Sequence, residues 1–112
     1  MSRNSYQVIV YGKFAPLDDD QRARLLAVAD EHNLLQAKFT EEGTVIYERS
    51  LLTFTFRCVV KADEDEEDKT AAVVARAQEL ATAAVRDLGA DVRDLRSVST
   101  DLETIKIKRR GR

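Results

Sequence analysis

The chain has 112 residues, of which 44% are hydrophobic and 34% charged, and its net charge is −2. This length suffices for one hydrophobic core, and the composition is unlike that of disordered chains. Its apolar runs span only a few residues, and residues 1–5 lack an apolar signal region. We therefore expect a single domain over residues 1–112, in the cytoplasm, with no membrane span and no secretory leader.

Cys58 is the only cysteine in the sequence. A single cysteine forms no disulfide within the chain, and a structural zinc site built on thiolates needs more sulfur. Cys58 lies in an alternating apolar run, where a small buried side chain is a commoner role than a reactive thiol. We accordingly expect no metal and no cofactor.

The charge is distributed in two blocks. Residues 63–68 are all acidic, whereas the C-terminal tail, 104–112, carries five basic residues and no acidic one. Like charges repel one another into solvent, so the pattern predicts a solvated acidic loop and a solvated basic tail.

The first strand is predicted over 6–14, where side chains alternate between two faces. Asp18 and Gln21 then have the spacing of a helix N-cap and its returning partner. An apolar stripe over 19–32 predicts an amphipathic helix, and Asn33 is a residue type that adopts the left-handed conformation at a helix end.

Residues 34–62 are predicted to be extended. A turn signal at 41–43 separates two alternating segments, so residues 34–49 form either two strands or one strand bulged at Gly43. The best strand prediction runs over 52–60. One face of that strand carries Leu52, Phe54, Phe56, Cys58 and Val60, and the other carries Thr53, Thr55, Arg57 and Val59.

An alanine-rich helix is predicted over 69–88, with Gly89 placed to end it. Its packing side carries Val74, Ala77, Ala81, Ala84, Val85 and Leu88. So many alanines predict a close approach to the sheet. A final strand is predicted over 92–100.

The element order of strand, helix, two or three strands, helix and strand predicts the fold class. With right-handed crossovers, this order favours an α+β, ferredoxin-like two-layer sandwich: an antiparallel sheet with two helices on one face. The other face of the sheet is left uncovered.

The uncovered face is half apolar, which indicates that something covers it. Its candidate interface and ligand residues are Ile9, Tyr11, Thr55, Arg57 and Val59, to which His32 at the first helix end is added. We expect a binding or interaction module that forms a homodimer through this face and holds a small molecule there. The alternative is a cofactor-independent enzyme, monooxygenase- or cyclase-like, of the dimeric α/β-barrel type, although the sequence carries no catalytic motif.

Nucleic-acid binding is the third hypothesis, because Phe54 and Phe56 have the spacing of an RNA-stacking platform. Exposing them would drive Arg57 under the helices, where an unpaired guanidinium costs several kcal/mol. Outside the tail the chain is also acidic. We therefore do not expect nucleic acid as a partner.

Several segments together carry a family resemblance. They are YQVIVYGKF at 6–14, QR at 21–22, ADEH at 29–32, AKFT at 37–40 and FTFR at 54–57. With this pattern, the chain resembles an uncharacterised actinobacterial family, domain-of-unknown-function family 6204, over about residues 6–102. The resemblance implies no activity. The acidic block and the basic tail fall where such a family is expected to vary.

Overall fold

The computed structural model describes residues 3–33, 37–63 and 68–101. In these parts of the chain the strands are β1 (Arg3–Phe14), β2 (Thr44–Tyr47), β3 (Thr53–Asp63) and β4 (Val92–Asp101), and the α-helices are α1 (Asp19–Ala27) and α2 (Lys69–Asp87). The sheet order is β2-β3-β1-β4, and every neighbouring pair is antiparallel. The predicted α+β two-layer sandwich is confirmed.

The core lies on one side of the sheet. Alternate residues of the two central strands are buried there, namely Tyr6, Val8, Val10 and Phe14 of β1 and Phe54, Phe56, Cys58 and Val60 of β3. The helical layer contributes Leu25, Ala29, Val73, Ala77, Ala81 and Val85 to the same cluster. Because strand side chains alternate, the intervening residues of β1 and β3 lie on the opposite face.

The first helix begins as predicted and ends earlier. Asp18 Oδ1 accepts from the Gln21 backbone N–H, and Gln21 Oε1 accepts from the Asp18 backbone N–H, both at 2.8 Å, so the capping box is present. The α-helix stops at Ala27, and a 3-10 helix follows over Ala29–His32. Asn33 is extended, at φ −87° and ψ 173°, so its predicted left-handed conformation was wrong.

The region before β3 contains one short strand. Only four residues form β2, and Thr40 makes an isolated parallel bridge in which its carbonyl accepts from the Val59 N–H at 2.8 Å. Gly43 separates the two at φ +94°. Residues 34–36 lie outside the described residues, so the question of one or two strands over 34–49 is answered only for the part from Ala37 onward.

In the tight turn before β3, Leu51 is buried and Leu52 is exposed. Leu51 has φ 58° and is buried, whereas Leu52, predicted on the covered face, is 69% exposed. The Leu51 N–H donates to the Glu48 carbonyl at 3.0 Å, which closes the turn. The prediction for Leu52 was wrong because Leu51 takes a left-handed conformation, which interrupts the two-residue alternation before the strand starts.

The second helix is held at both ends. Asp68 accepts from the Ala71 N–H at 3.0 Å. At the other end Gly89, at φ +91°, donates to Arg86, and the Ala90 N–H donates to Val85, which is the Schellman arrangement. The predicted packing side is confirmed, except that Val73 is the buried valine and the predicted Val74 is only half-buried.

The two charged blocks are described only in part. Asp63 ends β3 and Asp68 caps α2, whereas 64–67 and the tail 104–112 lie outside the described residues. Neither helix in the described ranges is long and apolar enough to cross a membrane.

Candidate binding face

The face of the sheet opposite the helices, called the open face below, presents its side chains in rows across the strands. From β4 through β1 and β3 to β2, the three middle rows are Arg96–Tyr11–Thr55–Ile46, Val98–Ile9–Arg57–Thr44 and, without a β2 member, Thr100–Gln7–Val59. Five of the six candidate residues, Ile9, Tyr11, Thr55, Arg57 and Val59, are therefore neighbours on one surface.

β4 lies where a final strand was predicted, and a β-bulge in it explains why the sequence did not assign its residues to the two faces of the sheet. The register of β4 against β1 shifts between Tyr11 and Lys13, and Asp94 has φ 55°. The extra residue breaks the alternation, so Arg96 and Val98 reach the open face out of phase with the start of the strand. Gly12 lies at the same place, where a Cβ would come within 2.5 Å of the Phe54 ring.

All four strands contribute an apolar side chain to the open face. Ile46 is only 7% exposed although it lies outside the main core cluster, and Val98 at the other edge is 55% exposed. Between these edges, Ile9 and Val59 are half-buried. The alternation of β2 indicated on which face of the sheet Ile46 lies. The face on which Val98 lies was decided only by the bulge of β4.

Arg57 has an unusual position on this face. Its guanidinium lies over the Phe39 ring at 5.6 Å from the centroid. Its Nε is buried and has no hydrogen-bond acceptor among the described residues. A buried donor without an acceptor costs about 1–3 kcal/mol, and more when it is charged. No pattern in the sequence indicated the contact with Phe39.

Arg96 repeats the arrangement in the neighbouring row. Its guanidinium lies 5.4 Å from the centroid of the Tyr11 ring. The two lysines on this face are paired, Lys13 with Asp94 at 3.6 Å and Lys61 with Glu41 at 3.3 Å. Neither stacked arginine has a carboxylate partner within the described ranges.

Two depressions meet on β3. One of about 230 Å³ lies between β1, β3 and β4 and is lined in part by Tyr11, Lys13 and Arg96. The other, of about 430 Å³, lies beside β2 and is lined in part by Ile46 and Arg49. Both include the stretch 53–55, whose Thr53 and Thr55 carry hydroxyl groups.

His32 is not on the open face. Its ring stacks on Tyr47 at 5.4 Å, and its Nδ1 lies 2.9 Å from the Val45 carbonyl oxygen. Tyr47 belongs to the covered side, where its hydroxyl donates to the Leu25 carbonyl at 2.6 Å. Burial, followed by the charge of Glu31, raises the pKa of Tyr47. His32 therefore joins α1 to β2 and does not meet the five other candidates.

Cys58 is fully buried on the covered side of β3. Burial raises the pKa of its thiol from 9.0 to about 11, against a smaller opposing effect from the charge of Arg76. A thiol with this pKa is protonated at neutral pH. The predicted role of Cys58 as a small buried side chain is confirmed.

Two further observations concern nucleic-acid binding and metal binding. Phe54 and Phe56 are 2% and 0% exposed, so neither ring is available to stack on a base. Within residues 3–33, 37–63 and 68–101, no three His, Cys, Asp or Glu side chains are grouped closely enough to hold a metal ion.

Comparison with known proteins places the chain in a family without assigning an activity. A family model matches residues 1–112, and its description is "Family of unknown function (DUF6204)". The chain belongs to this family. Searches of curated proteins and of solved structures found no match.

Proposed function

Because family membership assigns no activity to the chain, we propose from the geometry of the sheet that it is a binding module. Two copies associate through their open faces and enclose a small molecule between them. The observation that carries this proposal is the sheet face that bears no helix in the described chain, on which Ile9, Tyr11 and Val59 lie on the two central strands and Val98 and Ile46 on the two edge strands.

The size of the open face fits an interface between two copies. β1 and β3 pair over 11 residues in a sheet of four strands. At about 3.3 Å per residue and 4.8 Å between strands, the face has a projected area of roughly 600 Å². Protruding side chains add accessible surface, which brings the face near the roughly 800 Å² per partner of a standard interface.

The chemistry of the open face supports the same reading. Ile9, Val59 and Arg57 lie in the middle of the face, and the ion-paired lysines Lys13 and Lys61 lie toward opposite ends of the central strands. Protein interfaces are enriched in arginine and depleted in lysine, and a polar rim surrounds their apolar core. The depression between β1, β3 and β4, lined in part by Tyr11, Thr55 and Arg96, leaves room for a molecule that a second copy would close over.

Sedimentation equilibrium of matched variants tests the proposed dimer. Val98→Lys puts a charge on the open face. The control variant, Leu52→Lys, puts the same charge at the other exposed large apolar residue, just before β3. We expect the native chain and Leu52→Lys to be dimers. Val98→Lys should weaken the dimer about tenfold or more, because burying an unpaired charge opposes association.

Two results would contradict the dimer. A native chain that stays monomeric at high micromolar concentration would leave the open face for another partner. A dimer weakened by Leu52→Lys and not by Val98→Lys would place the interface elsewhere on the molecule. Circular dichroism of each variant checks that the fold is retained.

A further inference from the structure

The open face carries positive charge that the described chain does not neutralise. Lys13 and Lys61 are paired with Asp94 and Glu41. Arg57 and Arg96 have no such partner in the described ranges, although both are held in place by a ring. In a dimer formed through this face, the arginines of both copies would lie in the interface, where uncompensated positive charge is unfavourable unless an anion neutralises it.

The stacking of each arginine uses none of its N–H groups. Arg57 lies over Phe39 and Arg96 over Tyr11, so one flat side of each guanidinium is occupied. The N–H groups point outward in the plane of the guanidinium and are the donors that bind carboxylate and phosphate oxygens. A guanidinium already fixed by stacking loses little side-chain entropy when it binds an anion.

The buried Nε of Arg57 is the sharpest sign of a missing acceptor. Buried polar groups in folded proteins are nearly always hydrogen-bonded. This N–H has no acceptor among the described residues, in spite of its burial. An oxygen atom supplied from outside the described chain would satisfy it.

The spacing of the two arginines suits one small molecule. They lie in adjacent rows with β1 between them, which sets their backbones roughly 12 Å apart. Ile9, Tyr11 and Thr55 fill the area between them. Thr53 and Thr55 add hydroxyl groups to the depression that Arg96 lines, and Asp94, which lines it too, is paired with Lys13.

We propose that the open face binds a small carboxylate- or phosphate-bearing molecule, with Arg57 and Arg96 as the residues that bind the anion. This inference rests on the proposed function and specifies its ligand class. It also predicts that the anion strengthens the dimer, because a ligand held by both copies shifts their association by mass action.

A titration of the full-length ¹⁵N-labelled chain tests the inference. Inorganic phosphate and benzoate are added in separate experiments, with sodium chloride at matched ionic strength as the control. We expect saturable shifts of the Nε–H signals of Arg57 and Arg96 with at least one of the two anions. Saturation by phosphate alone identifies a phosphate group, and saturation by benzoate alone identifies a carboxylate.

Variants show whether the two arginines bind the anion. Arg57→Gln and Arg96→Gln should each weaken binding by about tenfold or more, since a charge-assisted hydrogen bond is lost. Arg22→Gln, on the exposed surface of α1, should leave binding unchanged. If Arg57→Gln fails to fold, Arg57→Lys keeps the charge, removes the planar fork, and should still weaken binding.

The inference is overturned if neither anion gives saturable shifts beyond those with chloride, or if Arg22→Gln weakens binding as much as the other two variants. Sedimentation of the same samples tests the dimer separately from anion binding. If the chain dimerises but binds neither anion, only the proposed ligand class is wrong. If a monomer binds the anion, only the proposed association of two copies is wrong.

Discussion

The two sides of the sheet are built from the same strands and have opposite chemistry. On the covered side, Phe54 and Phe56 are in contact with other apolar groups and almost completely buried. On the open side of the same strand, Arg57 lies between Thr55 and Val59, and its buried Nε–H has no acceptor among the described residues. Packing explains the buried rings of the covered side. Stacking on Phe39 holds Arg57 in place but does not satisfy that N–H, and a polar group left unsatisfied by the described fold is a sign of binding.

The largest effect should come from removing a ring on the covered side. Phe56→Ala should lower the free energy of unfolding by about 3–5 kcal/mol, because it leaves a cavity under the helices. Thr55→Val, the next residue and on the open side, should change it by less than about 1 kcal/mol. Urea denaturation measures both. Equal losses would mean that the two sides are equally buried and would break the comparison.

Substituting either of two glycines with the same backbone conformation should lower the free energy of unfolding by a smaller amount. Gly43 and Gly89 have φ +94° and +91°, but a Cβ on Gly43 would lie 1.8 Å from the Phe56 ring, whereas on Gly89 the nearest atom is Arg24 Nη1 at 2.8 Å. Gly89→Ala should cost about 1–2 kcal/mol for the backbone alone. Gly43→Ala should cost about 1–3 kcal/mol more, because the core ring must move.

The difference between the two glycine variants isolates the clash with the core. Thermal or urea unfolding of both measures it. Equal costs for Gly43→Ala and Gly89→Ala would show that the Phe56 ring yields freely and that the covered side is packed less tightly than described.

Replacing Cys58 should have the smallest effect on stability. The reactivity of its thiol should nevertheless differ clearly between the folded and the unfolded chain. The raised pKa of Cys58 should slow its labelling by a thiol reagent about 100-fold relative to the unfolded chain, since thiolate is the reactive form. The neutral thiol is favoured by folding, so its contribution is full below pH 9.0 and is lost as pH rises toward about 11. Unfolding of the native chain and of Cys58→Val across this range measures the loss.

Moving the thiol to the open face tests whether a second copy covers that face. Val59→Cys in a Cys58→Val background places the thiol one residue along, on the open face. It should label quickly at low protein concentration and become protected as the concentration rises, if two copies cover it. Protection of this thiol at every concentration would contradict the exposed face in the single chain.

Much of the covered side is readable from the sequence. The alternation of 6–14 and 53–60 assigned the buried and open residues of β1 and β3 correctly, because a strand has only two faces. Asp18 with Gln21 and Gly89 marked helix ends through contacts between residues close in sequence. Local chemistry of this kind does not depend on the rest of the fold.

The tertiary structure alone decided the features that complete the open face. The bulge at Asp94 brought Arg96 and Val98 to it, and the path of the chain before Thr40 placed Phe39 beneath Arg57. The 3-10 turn carried His32 to the covered side. Each of these contacts joins residues distant in sequence, and a shift of one residue in a strand exchanges its faces. The sequence by itself determined the alternation of the central strands, and packing between distant segments determined which side chains joined them.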